Sequence, residues 1–112
     1  MKRILNLILS AFLILPVCAQ PQDMKKQLDN YFRSYRAYGQ LIRTSSKLQD
    51  IKVNDTLRTI EVIADSHFGE QVFTPKSAEA IYEAVGKIVS PLYKHYDLTV
   101  KTGGWDIKEL VR

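Results

Sequence analysis

Three kinds of residue that can do chemistry occur together in one short stretch of this sequence. Asp65, His67 and Glu70 combine two carboxylates with an imidazole, a set that can bind a cation or exchange protons. Their spacing matches no fixed metal-ligand pattern, and Ser66 beside His67 is not a catalytic pair, because adjacent residues cannot hold triad geometry. Asp65, His67 and Glu70 are therefore a candidate loop site for a metal ion or a small enzyme.

A second histidine and carboxylate, His95 and Asp97, resemble the other half of such a site. His67 follows the predicted second strand, whereas His95 begins the predicted third strand. If these strands are parallel, the two histidines lie at opposite ends of the sheet, roughly 20 Å apart, about the length of a 15-residue helix. We therefore expect that His67 and His95 do not share a ligand. The sequence contains no GxSxG, HExxH or CxxC motif and no phosphate-binding glycine loop.

Aromatic side chains suggest a different function, the stacking of sugar rings. Tyr31, Phe32, Tyr35 and Tyr38 recur at helical spacing, and Trp105 stands near the end of the chain. Such a stripe is typical of a helix that packs on a core, and this interpretation is favoured. Exposure distinguishes the alternatives, because a ring that binds a glycan must be uncovered.

The chain begins with the pattern of a secretory signal peptide. Lys2 and Arg3 precede a largely apolar run at 4–15, and small residues lead to a cleavage site after Ala19. We therefore predict a signal peptide at 1–19 and a periplasmic or extracellular location.

The mature chain, 20–112, is predicted to form a single small α+β domain. The alternative at its start is a lipoprotein anchored through Cys18, although Val17 is a poor match for the residue before a lipid-modified cysteine. Cys18 is the only cysteine, so its removal leaves no disulfide or thiol chemistry. Basic residues are concentrated in 23–47 and form either a solvated helix face or a patch for anionic envelope polymers.

The central helix is the most clearly specified element. Thr74 is a favourable N-cap, Pro75 fits the first helical position, and Pro91 ends the helix. The full set of predicted elements is a helix at 23–38, strands at 48–53 and 57–64, a helix at 75–89, a strand at 95–102 and a short closing segment at 105–111.

This order of helix, strand, strand, helix and strand predicts the α+β class. The first two strands form a hairpin, and the second helix crosses over between two parallel strands. We therefore expect a small mixed sheet with helices packed on one face.

The turn of the hairpin carries a candidate modification site. Asp55-Thr56-Leu57 resembles the motif at which Bacteroidetes attach O-linked glycans to exported proteins, and Asn54-Asp55-Thr56 matches an N-glycosylation sequon. Ordinary turn chemistry also explains these residues, because Asn and Asp tolerate turn dihedral angles. Thr56 is thus a candidate for O-glycosylation.

Several segments together resemble a known family. They are 28–32, 36–37, 68–75, 81–82, 93–99 and 103–111. The resemblance is to the N-terminal domain of secreted Bacteroidetes proteins that carry a golvesin-type C-terminal domain and are labelled xanthan lyase-like. It implies an exported accessory domain, either a truncated first part of a larger secreted protein or a stand-alone copy of that part. Any catalysis belongs to the remainder of those proteins, so no active-site residue is carried over.

Three functions are open on this basis. The favoured one is a non-catalytic envelope or extracellular module that acts as an interaction, spacer or accessory domain. One alternative is a glycan-binding module that uses Tyr31, Tyr35, Tyr38 or Trp105, with Tyr38 and Trp105 as the main candidates. The other is a small enzyme or metal site at Asp65, His67 and Glu70. No cofactor, nucleic acid or transmembrane helix is expected in the mature chain. The expected partner is an envelope polysaccharide or another secreted domain.

We predict that the chain is exported and cleaved after Ala19, because a small residue there fits the position before a signal-peptidase cut. Intact-mass measurement of the secreted protein should give a chain that begins at Gln20. A mass that begins at Cys18 and includes a lipid would contradict this prediction.

Overall fold

The computed structural model describes residues 21–35 and 46–111. The predicted signal peptide, Cys18 and Tyr38 lie outside these residues. No helix within the two described ranges is long and apolar enough to cross a membrane. The elements are α1 (Pro21–Ser34), β1 (Leu48–Asn54), β2 (Thr59–Ala64), α2 (Pro75–Val89), β3 (Asp97–Thr102) and β4 (Trp105–Asp106), with 3₁₀ helices at Ser66–Glu70 and Ile107–Leu110.

The strands form one four-stranded mixed sheet in the order β1-β2-β3-β4. β1 and β2 are an antiparallel hairpin, and β3 and β4 are also antiparallel. β2 and β3 are parallel and are connected through α2, with Thr59 beside Asp97 and Ala64 beside Thr102. The predicted α+β class and mixed sheet are confirmed.

The start of α2 follows the sequence prediction closely. Thr74 Oγ1 accepts a hydrogen bond from the Ser77 backbone N–H at 3.1 Å, and Ser77 Oγ accepts one from the Thr74 N–H at 2.8 Å. This reciprocal pair satisfies two backbone donors that a helix start leaves free. Pro75 occupies the first turn, where its missing N–H costs nothing.

The core lies between the helices and one face of the sheet. Ile60, Val62 and Ala64 alternate along β2 and are fully buried, so they point to the same face. α1 contacts α2 and β1, and α2 contacts β3, so both helices cover that face. The helices bury Met24, Leu28 and Phe32 from α1 and Ala78, Ile81, Val85 and Val89 from α2.

A cluster of aromatic rings joins α1 to the segment before α2. The ring of Phe68 lies 5.0 Å from that of Phe32, 5.2 Å from Tyr35 and 5.5 Å from Phe73, measured between centroids. Tyr31 also packs against this core, and burial raises its pKa to about 12. The aromatic stripe of α1 is therefore core in the described residues, as the favoured interpretation expected.

Two strand starts differ from the prediction, and both differences have a backbone cause. β2 begins at Thr59 rather than Leu57, and β3 begins at Asp97 rather than His95. Arg58 has φ 54° and His95 has φ 71°, values in the left-handed region that a strand does not contain. The hairpin turn is consequently longer than Asn54-Asp55-Thr56, and the Asn54 side chain accepts a hydrogen bond from the Leu57 N–H at 2.9 Å.

We expect Ile81→Ala to lower the free energy of unfolding by about 2–5 kcal/mol, because it opens a cavity beneath α2. Ile81 is fully buried, whereas Glu83 is on the exposed side of the same helix. The control Glu83→Ala should therefore change stability by no more than about 0.5 kcal/mol. Urea unfolding followed by circular dichroism measures both, and equal midpoints for the two variants would show that the stripe is not buried.

Candidate functional site

Hydrogen bonds to the backbone of Asp65 help to hold the loop after β2 in place. The Asp65 N–H donates to the Lys47 carbonyl at 3.0 Å, and the Asp65 carbonyl accepts from the Phe68 N–H at 3.1 Å. The same carbonyl accepts a hydrogen bond from Thr102 Oγ1 at 2.6 Å. These bonds tie the loop to the residue before β1 and to the end of β3, so its side chains have defined positions at this end of the sheet.

The predicted site at Asp65, His67 and Glu70 is only partly assembled. His67 Nδ1 lies 3.4 Å from Asp65 Oδ2, with the aspartate largely buried and the histidine half-exposed. The other oxygen, Asp65 Oδ1, is buried without a hydrogen-bond partner among the described residues. Over 21–35 and 46–111, no group of three or more His, Cys, Asp or Glu side chains is placed to hold a metal ion. The described geometry thus gives an Asp–His pair and no three-ligand cluster.

His67 and His95 lie at opposite ends of the sheet. His67 follows the end of β2 at Ala64, whereas His95 precedes the start of β3 at Asp97, which pairs with Thr59. Five residue steps along a parallel strand span roughly 17 Å. The strand register therefore supports the expectation that the two histidines do not share a ligand.

A small groove forms where this loop meets the turn after β3. Its volume is about 360 Å³. Trp105 stands at this groove with 61% of its surface exposed, and Glu70 is the one ionisable residue among the described residues that line it. The lining residues are Ser66, Gly69, Glu70, Thr102, Gly103, Gly104, Trp105 and Leu110.

Glycines let the two walls of this groove approach closely. A Cβ on Gly69 would lie 3.2 Å from Thr102 Cγ2, which is closer than most such contacts. Gly103 has φ 63°, a left-handed conformation that favours glycine in the turn before Trp105. The groove shape therefore depends on residues without side chains.

A larger groove of about 710 Å³ lies beside α2 and the C-terminal 3₁₀ helix. Its central residue is Tyr82, whose hydroxyl donates to Asp106 Oδ1 at 2.8 Å and accepts from the Val100 N–H at 3.0 Å. Lys108 Nζ lies 4.1 Å from the centroid of the Tyr82 ring. The lining residues are Pro75, Lys76, Ala78, Glu79, Tyr82, Lys108 and Val111.

The Tyr82 hydroxyl connects three elements of the structure. It belongs to α2, Val100 to β3, and Asp106 to the closing segment, where the Asp106 carboxylate also accepts from the Lys108 N–H at 2.9 Å. Burial is the main reason that the pKa of Tyr82 rises to about 12, and its bond to the Asp106 carboxylate adds to the rise. With its donor and its acceptor both used, this hydroxyl has a structural role.

The aromatic candidates from the sequence separate clearly by exposure. Tyr31 and Tyr35 are partly buried and pack against the core, whereas Trp105 is mainly exposed. Tyr38 lies outside the described residues. Among the described candidates, Trp105 alone has the exposure that stacking on a sugar requires.

Sequence reasoning missed both grooves. It did not predict that Trp105 and Glu70 line the same groove. The Gly103-Gly104 turn directly before Trp105 did indicate that the chain bends there. Sequence reasoning also placed Tyr82 in the apolar stripe, because its partner Asp106 is 24 residues away.

Thr56 lies at the other end of the sheet, in the exposed hairpin turn. Asp55 beside it accepts a hydrogen bond from the Tyr96 hydroxyl at 2.6 Å. This bond is the largest cause of the raised pKa of Tyr96. The position of Thr56 leaves room for a glycan, and its modification stays a prediction.

We expect Tyr82→Phe to lower the free energy of unfolding by about 1–3 kcal/mol, because the Val100 N–H and the Asp106 carboxylate each lose a partner. Tyr93→Phe is the control, since the Tyr93 hydroxyl bonds no residue in the described ranges; it should cost about 0.5 kcal/mol or less. Urea unfolding at neutral pH measures both, and equal losses would contradict the assigned role.

The same pair of variants gives a test at high pH. The folded-state pKa of Tyr82, about 12, lies above the value near 10 of an unfolded chain. The stability that it contributes is therefore complete below pH 10 and is lost as the pH rises from about 10 to 12. The decline over this range should be shallower in Tyr82→Phe than in wild type.

Comparison with known proteins identifies no relative: no protein-family model, no curated protein and no solved structure matches this chain. The resemblance carried by residues 68–75 to golvesin-type proteins therefore stays an expectation from the sequence. The two grooves and the exposure of the side chains that line them are the features of the structure that bear on function.

Proposed function

We propose that this chain is an exported, non-catalytic module that binds a carbohydrate of the cell envelope at the groove beside Trp105. The observation that carries the proposal is the 61% exposure of the Trp105 side chain at the mouth of a formed groove. An indole ring is large and mostly apolar, so covering it is favourable and leaving it exposed is costly. A sugar ring offers a flat C–H face that covers an indole without requiring a deep pocket.

The rest of the lining is suited to the polar edge of a sugar. The Glu70 carboxylate accepts hydrogen bonds from hydroxyl groups, and the Ser66 hydroxyl both donates and accepts. Gly103 and Gly104 present backbone without side chains, so a ligand can approach closely. The volume of about 360 Å³ is at the low end of ligand sites, which suits one or two sugar rings better than a long oligosaccharide.

The larger groove is a weaker candidate for ligand binding. Lys108 already lies against the ring of Tyr82, and the Tyr82 hydroxyl is fully engaged by Val100 and Asp106. A ligand would have to displace contacts that hold the closing segment in place. A ligand at Trp105 displaces no such contacts, since most of the Trp105 surface faces solvent.

Binding is a better fit than catalysis for the small groove. Glycoside hydrolysis commonly uses two carboxyl groups on opposite sides of the bond that is cleaved. Among the residues that line this groove, Glu70 supplies the one carboxylate. The predicted signal peptide supports an envelope ligand, because it would bring the chain to the compartment that holds such polysaccharides.

We expect the fluorescence of Trp105 to report binding directly, because it is the only tryptophan in the chain. Titration with soluble cello- and chito-oligosaccharides and with envelope polysaccharide from the source organism should shift or quench the emission. Calorimetry on Trp105→Ala should show affinity reduced by about tenfold or more for the sugar that binds. Covering a large apolar side chain contributes about 1.5–3 kcal/mol, and a tenfold change in affinity corresponds to about 1.4 kcal/mol.

Leu57→Ala is the matched control, because Leu57 is 68% exposed and lies at the other end of the sheet. It should leave affinity unchanged, and Glu70→Gln should weaken binding moderately through the loss of a charged acceptor. Absence of any fluorescence or heat signal across the whole panel at millimolar sugar would contradict the proposal. Equal weakening by Trp105→Ala and Leu57→Ala would do the same.

A further inference from the structure

The outer edge of β1 carries backbone groups that are not used within the sheet. Among the residues at 21–35 and 46–111, β1 is an edge strand that pairs with β2 on one side. The Ile51 N–H donates to the side chain of its own neighbour, Asp50 Oδ1, at 2.7 Å. An N–H that bonds in this way points away from β2, and the alternation of an antiparallel ladder gives the Val53 N–H the same direction. Val53 is also one of the exposed large apolar side chains, at 38%.

Two opposite charges flank Ile51 on the sheet face opposite to α1 and α2. Asp50 pairs with Ile63 in the register, and Lys52 pairs with Glu61, so both point away from the core face. The Glu61 carboxylate lies 3.5 Å from Lys101 Nζ. Among the described residues, neither Asp50 nor Lys52 forms an ion pair of its own.

We propose that two copies of this chain associate through antiparallel pairing of their β1 strands, about a two-fold axis at Ile51. In this arrangement Ile51 lies opposite Ile51 of the second copy, and their N–H and C=O groups exchange hydrogen bonds. Asp50 then lies opposite Lys52 of the second copy, and the symmetry forms the same pair twice. Directly opposed side chains of opposite charge stabilise a strand pair, whereas like charges destabilise it.

Charge complementarity selects this register over its neighbours. An axis at Val53 would place Lys52 opposite Asn54, and an axis at Gln49 would place Asp50 opposite Leu48. Of these three axes, only the one at Ile51 places both Asp50 and Lys52 opposite a side chain of the opposite charge. In the dimer the Ile51 N–H no longer donates to Asp50 Oδ1. It donates instead to a backbone carbonyl of the second copy.

The resulting dimer is a continuous eight-stranded sheet with α1 and α2 of both copies on one face. The axis is perpendicular to the sheet, so the helical layers of the two copies lie side by side. β4 and the Trp105 groove remain at the two outer edges. The dimer does not depend on sugar binding, and each of the two proposals can fail without the other.

Charge reversal tests the pairing and its register together. Lys52→Glu and Asp50→Lys each replace two attractive pairs with two repulsive ones, so each should raise the dimer dissociation constant by about tenfold or more. The double variant Asp50→Lys with Lys52→Asp restores both pairs and should return the constant to within about threefold of wild type. Sedimentation equilibrium on the purified protein from about 1 µM to 1 mM measures all four.

Lys26→Glu is the control for net charge, because Lys26 is exposed on α1 away from the sheet. It changes the charge as much as Lys52→Glu and should leave the dissociation constant unchanged. Hydrogen exchange at the Ile51 amide gives a second measurement, with protection that increases with protein concentration. A wild-type protein that stays monomeric over the whole range would overturn the proposal. So would a dimer that is insensitive to Lys52→Glu, or one that the double variant fails to restore.

Discussion

The burial of the Phe68 ring is the contact on which the arrangement of the other elements depends. This ring lies in the loop between β2 and α2, and it meets Phe32 and Tyr35 from α1 and Phe73 from the segment before α2. A small domain has few such centres, so the loss of one removes a large share of its packing energy. Because Phe68 is fixed, the loop around it is fixed as well, and the same loop forms one wall of the groove at Trp105.

A second constraint is the short length of β4. With two residues, it pairs with the end of β3, and the rest of that edge has no strand partner in the part of the chain that the structure describes. Tyr82 supplies part of what is missing, since its hydroxyl accepts from the Val100 N–H. A side chain from a helix thus substitutes for a strand and ties the helix to the sheet. At the other edge, β1, carboxylates accept hydrogen bonds from the backbone. Asp29 accepts from the Leu48 N–H, and Asp50 accepts from the Ile51 N–H.

The fold was largely predictable from local patterns, whereas the candidate site was not. The cap at Thr74 and the alternation along β2 depend on residues that are close together in the chain. The sequence therefore predicts α2 and the core face of the sheet. The strand starts near Arg58 and His95 depend on positive φ values at these two residues, and the sequence does not predict those values. The groove joins residues far apart in the chain, and only the packing of the loop against the last turn brings Trp105 beside them.

The strands cross the sheet in the order in which they occur along the chain. The β1–β2 hairpin joins residues that one turn separates, whereas β2 and β3 are joined across α2, with Thr59 beside Asp97. Parallel pairing across such a long connection forms slowly, because the connection must be closed before its contacts stabilise it. Until β3 pairs with β2, the open strand edge and the aromatic rings are exposed to proteases and to other unfolded chains.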